Sequence, residues 1–134
     1  MRVVIRGAIV ALLFVSGSLF AQNSTYRPDP NWKAPVAEAA KKNPLANNAS
    51  AAKKGRGLFE AQCSMCHGMD GSGMANAANF RNAAVQRESD GTLFWKISRG
   101  NQNKGMPSFK NLSETERWQL VSYIRTLRAK RSSK

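Results

Sequence analysis

Soft metal ligands are scarce in this chain, which has one histidine and two cysteines among 134 residues. Two cysteines cannot build a disulfide framework, and three soft ligands fall short of the four that a structural zinc site takes. Acid is scarce as well: 8 Asp and Glu stand against 21 Lys and Arg, a formal net charge of +13. No alternating apolar and polar stretch of useful length occurs, so the strand pattern is missing and the fold class reads as all-α. The length leaves room for one compact domain of about 100 to 150 residues, which excludes a large multidomain enzyme. What is present is an ordinary apolar share, 42%, well above that of a disordered chain.

The N-terminus combines Met1, Arg2 and Arg6 with an apolar run from Ala8 to Val15 and a small, uncharged exit to Ala21. These are the n-region, h-region and exit of a secretory signal peptide over residues 1–21. A retained membrane anchor is the alternative. Gly7 to Ala21 is shorter than the roughly 20 residues a spanning helix takes, however, and polar Gln22, Asn23 and Ser24 follow at once. No cysteine near Ala21 invites lipid modification. Cleavage there removes Arg2 and Arg6 and no acid, leaving a small, basic, exported protein of net charge +11. The expected location is the periplasm, with no stable membrane insertion once the signal is gone.

Residues 22–49 hold four of the five prolines, Pro28, Pro30, Pro35 and Pro44, and read as an irregular N-terminal arm with a helical turn around Val36 to Lys42. Trp32 in that arm either docks on the domain or belongs to a mobile tether left after export. The domain proper is expected over 50–134. Ala51 to Gln62 lacks proline and sets Leu58 and Phe59 on one side of a helix, although Gly55 and Gly57 each cost it about 1 kcal/mol relative to Ala. Glycine there signals another helix passing close by. Residues 68–88 read as loop, with Gly68, Gly71 and Gly73 supplying turns. A second helix is predicted from Ser89 or Asp90 as N-cap through Leu93, Phe94 and Ile97 to Gly100 as stop. The last opens on the S-x-x-E capping box of Ser113 and Glu116. Its apolar face is Trp118, Val121, Ile124 and Leu127, with Leu120 and Tyr123 beside them. Arg125, Arg128, Lys130 and Arg131 sit at its end, where cations favour the helix dipole.

Both cysteines and the sole histidine fall in one stretch, Cys63-Ser64-Met65-Cys66-His67, a C-x-x-C-H motif. Two thiols three positions apart can each add to a vinyl group on one edge of a haem, and the next residue then presents an imidazole nitrogen to the iron. Attachment needs reduced thiols outside the cytoplasm, which agrees with the export signal. A thioredoxin-like redox pair would want a preceding strand and a βαβ context, and a plain disulfide would leave His67 unexplained. The predicted cofactor is one haem c, covalent through Cys63 and Cys66, with His67 on the iron.

With no second histidine, the sixth position falls to methionine or stays open. Met1 goes with the signal, Met65 lies between the anchoring cysteines, and Met69 reaches only about 7 Å from His67 along an extended chain. Met74 has barely the length to wrap the haem edge. Met106 lies 39 residues beyond His67, with Pro107 stiffening the turn that would aim its sulfur, and is the expected second iron ligand.

Together these residues resemble the class I c-type cytochromes, over roughly residues 50 to 129. Cys63 to His67 is similar to that family's haem attachment motif, and Gly105-Met106-Pro107 to its distal-ligand loop. Gly55 and Phe59 resemble the amino-terminal helix pair that crosses the carboxyl-terminal helix, with Leu120 and Tyr123 as partners. Asp90 to Ile97, Arg99-Gly100 and Met106 to Phe109 are similar to small bacterial periplasmic members and to the c-type domains fused to oxidases and dehydrogenases. The resemblance implies the cytochrome c fold, three or more helices around one covalent haem. It also shows a departure. Many members place a proline after the haem histidine whose carbonyl accepts the imidazole N–H, but none occurs between His67 and Pro107. Another carbonyl in residues 71–82 must therefore orient His67. Phe94, Trp95 and Phe109 are expected to pack in the haem pocket, with Trp95 or Arg99 alternatively meeting a propionate. The haem would supply much of a core that about 80 residues could hardly build alone, so its loss is expected to unfold the domain.

The function so implied is a monohaem periplasmic one-electron carrier in a respiratory or dehydrogenase chain, with no bond chemistry at the iron and so no enzyme activity. Two alternatives stand beside it. One is a haem c subunit docked on an oxidase or dehydrogenase complex through the arm and Trp32; the other is a ligand-binding haem protein with an open sixth position. The positive charge alone would also suit nucleic acid, but export and the lack of a groove-reading motif argue against that partner. A monomer is expected, meeting redox proteins with an acidic docking surface, steered by Arg81, Lys96, Arg99, Lys104 and Lys110 around the haem edge.

Overall fold

Three short polar side chains decide where the longest helices start. In the computed structural model, which describes residues 29–128 apart from 75, Asn48 accepts the Ala51 amide and Ser89 accepts that of Thr92. Ser113 and Glu116 form the full reciprocal capping box. In chain order the elements are α1 (Val36–Ala39), α2 (Ala49–Gln62), α3 (Ser64–His67), α4 (Ala83–Arg87), α5 (Asp90–Arg99), a 3₁₀ turn at Gln102–Lys104, and α6 (Glu114–Thr126). Among the described residues there is no strand, only an isolated bridge between Asn101 and Met106, so the fold is all-α as expected. None of the described helices is long and apolar enough to cross a membrane. The signal peptide expected over 1–21, and Lys130 and Arg131, lie outside the described residues.

The frame is the crossing of α2 over α6. A Cβ on Gly55 would fall on the Gln119 carbonyl, so only glycine lets the two backbones approach this closely. One turn on, the Phe59 ring lies 5.2 Å from Tyr123 and 5.8 Å from Phe80. Phe59, Leu120 and Val121 are fully buried, each worth about 1.5–3 kcal/mol of transfer free energy. Gly57 is different: it faces open space, so the expectation of a neighbouring helix holds at Gly55 and not at Gly57. Beside the crossing, Phe94 of α5 stacks on Trp118 at 4.0 Å. Arg125 does more than suit a dipole. Its guanidinium bonds Asp90 at 2.7 Å and the Gln86 and Glu88 carbonyls at 3.1 and 2.5 Å, tying α6 to the α4–α5 junction.

Two segments are more ordered than their composition suggests. Residues 68–88, read as loop, contain α4, opened by the Asn82 side chain. Gln86 within it is buried and donates to the carbonyls of Phe80 and Ile124 at 2.7 and 2.8 Å. The arm, in its described part, is no mobile tether. The α1 segment packs its carbonyls against Gly91 of α5, and buried Asn43 donates to Ser122 Oγ of α6 at 3.0 Å.

Candidate cofactor site

At the end of α2 the Cys63 amide still reaches the Phe59 carbonyl at 2.8 Å, and the chain then turns through α3. This brings Cys63, Cys66 and His67 onto one cavity of about 560 Å³. That volume falls in the range of about 300–1,000 Å³ typical of cofactor pockets. Core side chains, among them Phe59, Leu93, Ile97, Leu120 and Ile124, make much of its lining apolar. Met106 lines it too.

His67 is buried and stacked on the Phe80 ring at 4.4 Å. Its Nδ1 lies 3.0 Å from the Ala78 carbonyl. A carbonyl can only accept, so Nδ1 carries the proton and Nε2 keeps its lone pair for a metal. Burial pushes the His67 pKa down, with the Ala78 bond opposing only in part, so the ring is neutral as ligation requires. Ala78 thus supplies the carbonyl that the absent proline left open. The turn carrying it is pinned by Gly73 to the His67 carbonyl at 2.8 Å and by Phe80 to the Gly71 carbonyl at 2.8 Å.

The cysteines are not bridged to each other. Cys63 is pushed up to about 11, first by burial and second by Cys66 beside it. A redox dithiol works through one depressed thiol, and the shift at Cys63 runs the other way.

The methionines divide by where their backbones are held. Met69 is 63% exposed and lies off the cavity, and Met65, 84% exposed, only touches its lip. Met74 also lines the cavity, but its amide bonds the Cys66 carbonyl at 3.0 Å, which ties it to the segment that presents His67. Met106 comes from a separate element. Its amide and carbonyl exchange bonds with Asn101 at 3.0 and 2.9 Å, in a turn closed by the left-handed Gly105. Of the two, only Met106 reaches the cavity from a wall other than that of His67.

Phe109 lines the cavity as expected, whereas Phe94 and Trp95 do not. On α5 the cavity face is Leu93, Lys96 and Ile97, at i, i+3 and i+4, which turns residues 94 and 95 away. Phe94 goes to Trp118, and Trp95 joins Arg99 and Lys110 along a separate polar groove of about 480 Å³. The basic set is also smaller than its residue count, because Lys96 pairs with Glu88 at 2.6 Å and Arg81 with Asp70 at 3.0 Å. Sequence reasoning missed Phe80, which lay in a segment with no periodicity to reveal it, and Asp29, which lines the cavity from the arm.

Two unbridged cysteines, a neutral imidazole with Nε2 available and a thioether from another wall, around an apolar cavity, fit a haem c. Residues 50–124 match the sequence model of a family described as cytochrome c oxidase, cbb3-type, subunit III. No curated protein matches the chain.

Proposed function

Because the chain belongs to this family of c-type cytochromes, electron-transfer haem proteins of class I type, we propose that it is a periplasmic monohaem electron carrier and not an enzyme. In this reading Cys63 and Cys66 would hold the haem covalently, and His67 and Met106 would ligate its iron. One observation carries it: all four residues line the same apolar cavity. When bound, the haem supplies one-electron chemistry at its iron.

The chain's part is to hold and to exclude. Ala78 fixes the His67 tautomer so that Nε2 faces no competing proton. Phe59, Ile97 and Leu120 keep the cavity apolar, which tunes a redox centre by lowering the local dielectric. Met106, ligating the iron, would deny a gas or peroxide that place, and its thioether would raise the potential relative to a second histidine. Arg99, Lys104 and Lys110 remain as exposed cations to steer a redox protein with an acidic docking surface. The protein acts as a monomer.

The description of the matched family favours a second reading, a haem subunit seated on an oxidase. In that reading Trp32 would offer a partner only the exposed part of its ring, since its Nε1–H is engaged by the Gly100 carbonyl.

The test is the intact mass of protein exported from cells competent in cytochrome maturation. The expected mass is the chain without residues 1–21 plus one haem, and Cys63→Ala/Cys66→Ala should lose the haem. An unmodified mass sinks the haem claim. Ready carbon monoxide binding by the reduced wild type would favour an open iron, and co-purification with a large oxidase would favour the second reading.

A further inference from the structure

The start of the described arm makes contacts that electron carriage by itself does not call for. Asp29 and Trp32 both line the haem cavity, and each grips the segment that carries Met106. Trp32 Nε1–H donates to the Gly100 carbonyl at 2.9 Å, and Asn101 Nδ2–H donates to Asp29 Oδ2 at 3.1 Å. Asn101 is buried, and it is the residue whose backbone pairs twice with Met106.

The strap is locally built to make these contacts. Asp29 Oδ1 accepts the Asn31 amide at 2.9 Å, and its carbonyl accepts that of Trp32 at 3.1 Å, which leaves Oδ2 for Asn101. The indole is clamped from another side by Lys96, whose Nζ lies 4.8 Å from the ring centroid while paired with Glu88. The turn it holds leaves α5 through the Gly100 amide on the Lys96 carbonyl at 2.9 Å, but its middle has little support. Gln102 to Gly105 are exposed, and a Cβ on Gly105 would meet nothing within 4 Å. The trailing half is fixed to α5 instead, through Ser108 Oγ to the Ser98 carbonyl at 2.6 Å and the Phe109 amide to the Ile97 carbonyl at 3.2 Å.

We propose that Asp29 and Trp32 are positioning residues for Met106: they fix the turn from Gly100 to Met106 and thereby set how firmly the sixth coordination position stays closed to outside ligands. The inference rests on Met106 being the second axial ligand. It makes the arm the element that keeps this protein a carrier and not a ligand binder.

The experiment uses the holoprotein with Trp32→Phe, which keeps an aromatic ring beside Lys96 but loses the N–H, and with Asp29→Ala. Val36→Ala, at an exposed position of α1, is the control. Amide hydrogen exchange at Asn101 and Met106 reports the turn whatever occupies the iron, and carbon monoxide association with the reduced protein reports the sixth position. Exchange at both amides should rise about threefold to tenfold for each lost bond, and carbon monoxide should bind faster by a similar factor. The amides of Phe59 and Leu120 should exchange as in the wild type, showing that the frame stands. Unchanged exchange at Asn101 and Met106 in both variants overturns the proposal. So does faster exchange with a wild-type carbon monoxide rate. If Met106→Ala itself leaves carbon monoxide binding unchanged, the axial-ligand reading fails instead, independently of the strap variants.

Discussion

On the His67 side of the cavity the anchors are local. Cys63 bonds back to Phe59, His67 to Cys63, Met74 to Cys66, and the imidazole reaches only as far along the chain as Ala78. On the Met106 side the local anchors, Ser108 to Ser98 and Phe109 to Ile97, are joined by distant ones, the Trp32–Gly100 and Asp29–Asn101 bonds spanning 68 and 72 residues. One wall folds as a continuation of α2 and inherits its rigidity from the crossing with α6. The other takes its contacts from both the arm and α5. A wall of the first kind suits a permanent attachment point, and a wall of the second kind suits a ligand whose hold can be tuned by contacts outside the cavity.

The largest expected effect breaks the first wall at its root. Gly55→Ala drives a methyl into the Gln119 carbonyl, and because both sides are backbone neither can give, so α2 must lift off α6. The expected cost is about 3 kcal/mol or more, seen as a collapse of the urea midpoint and little holoprotein recovered. Gly100→Ala should strike only the second wall. Gly100 has φ 65° and ψ −176°, a region reserved for glycine, and its α-carbon faces the Pro107 carbonyl. A loss of about 1–3 kcal/mol is expected in urea unfolding, with exchange protection surviving in α2 and α6 and failing around Asn101. The smallest effect sharpens the first case by its opposite. Gly57→Ala meets open space and should raise stability by about 0.5–1 kcal/mol, measured as an upward shift of the urea midpoint.

The same division explains what could be read before any fold was known. The attachment motif, the Ser89 and Ser113 caps and the pairing of Gly55 and Phe59 with Leu120 and Tyr123 are each set by residue types at fixed short spacing. The caps and the pairing stand where the sequence put them, and the three residues of the motif line one cavity. Chain reach and Pro107 favoured Met106 over Met74; both line the cavity, and Met74 is tied by its amide to Cys66 beside His67. Ala78 could be bracketed but not named, since every residue in a loop offers the same carbonyl. Phe94 and Trp95 were misplaced because helical spacing shows that a face exists without showing which neighbour it meets. The α4 helix is five residues long, too short for periodicity, and its cap Asn82 lies within the stretch that read as loop. The docking of Asp29, Trp32 and Asn43 carries no local signal, because each partner lies some seventy residues or more away.

The account turns on Met106 facing His67 across one haem, and the ferric spectrum of the holoprotein tests it most directly. The sulfur-to-iron charge-transfer band in the far red should be present in the wild type and in Met74→Ala and absent in Met106→Ala. A band that survives in Met106→Ala, or one that vanishes in Met74→Ala, would contradict the account.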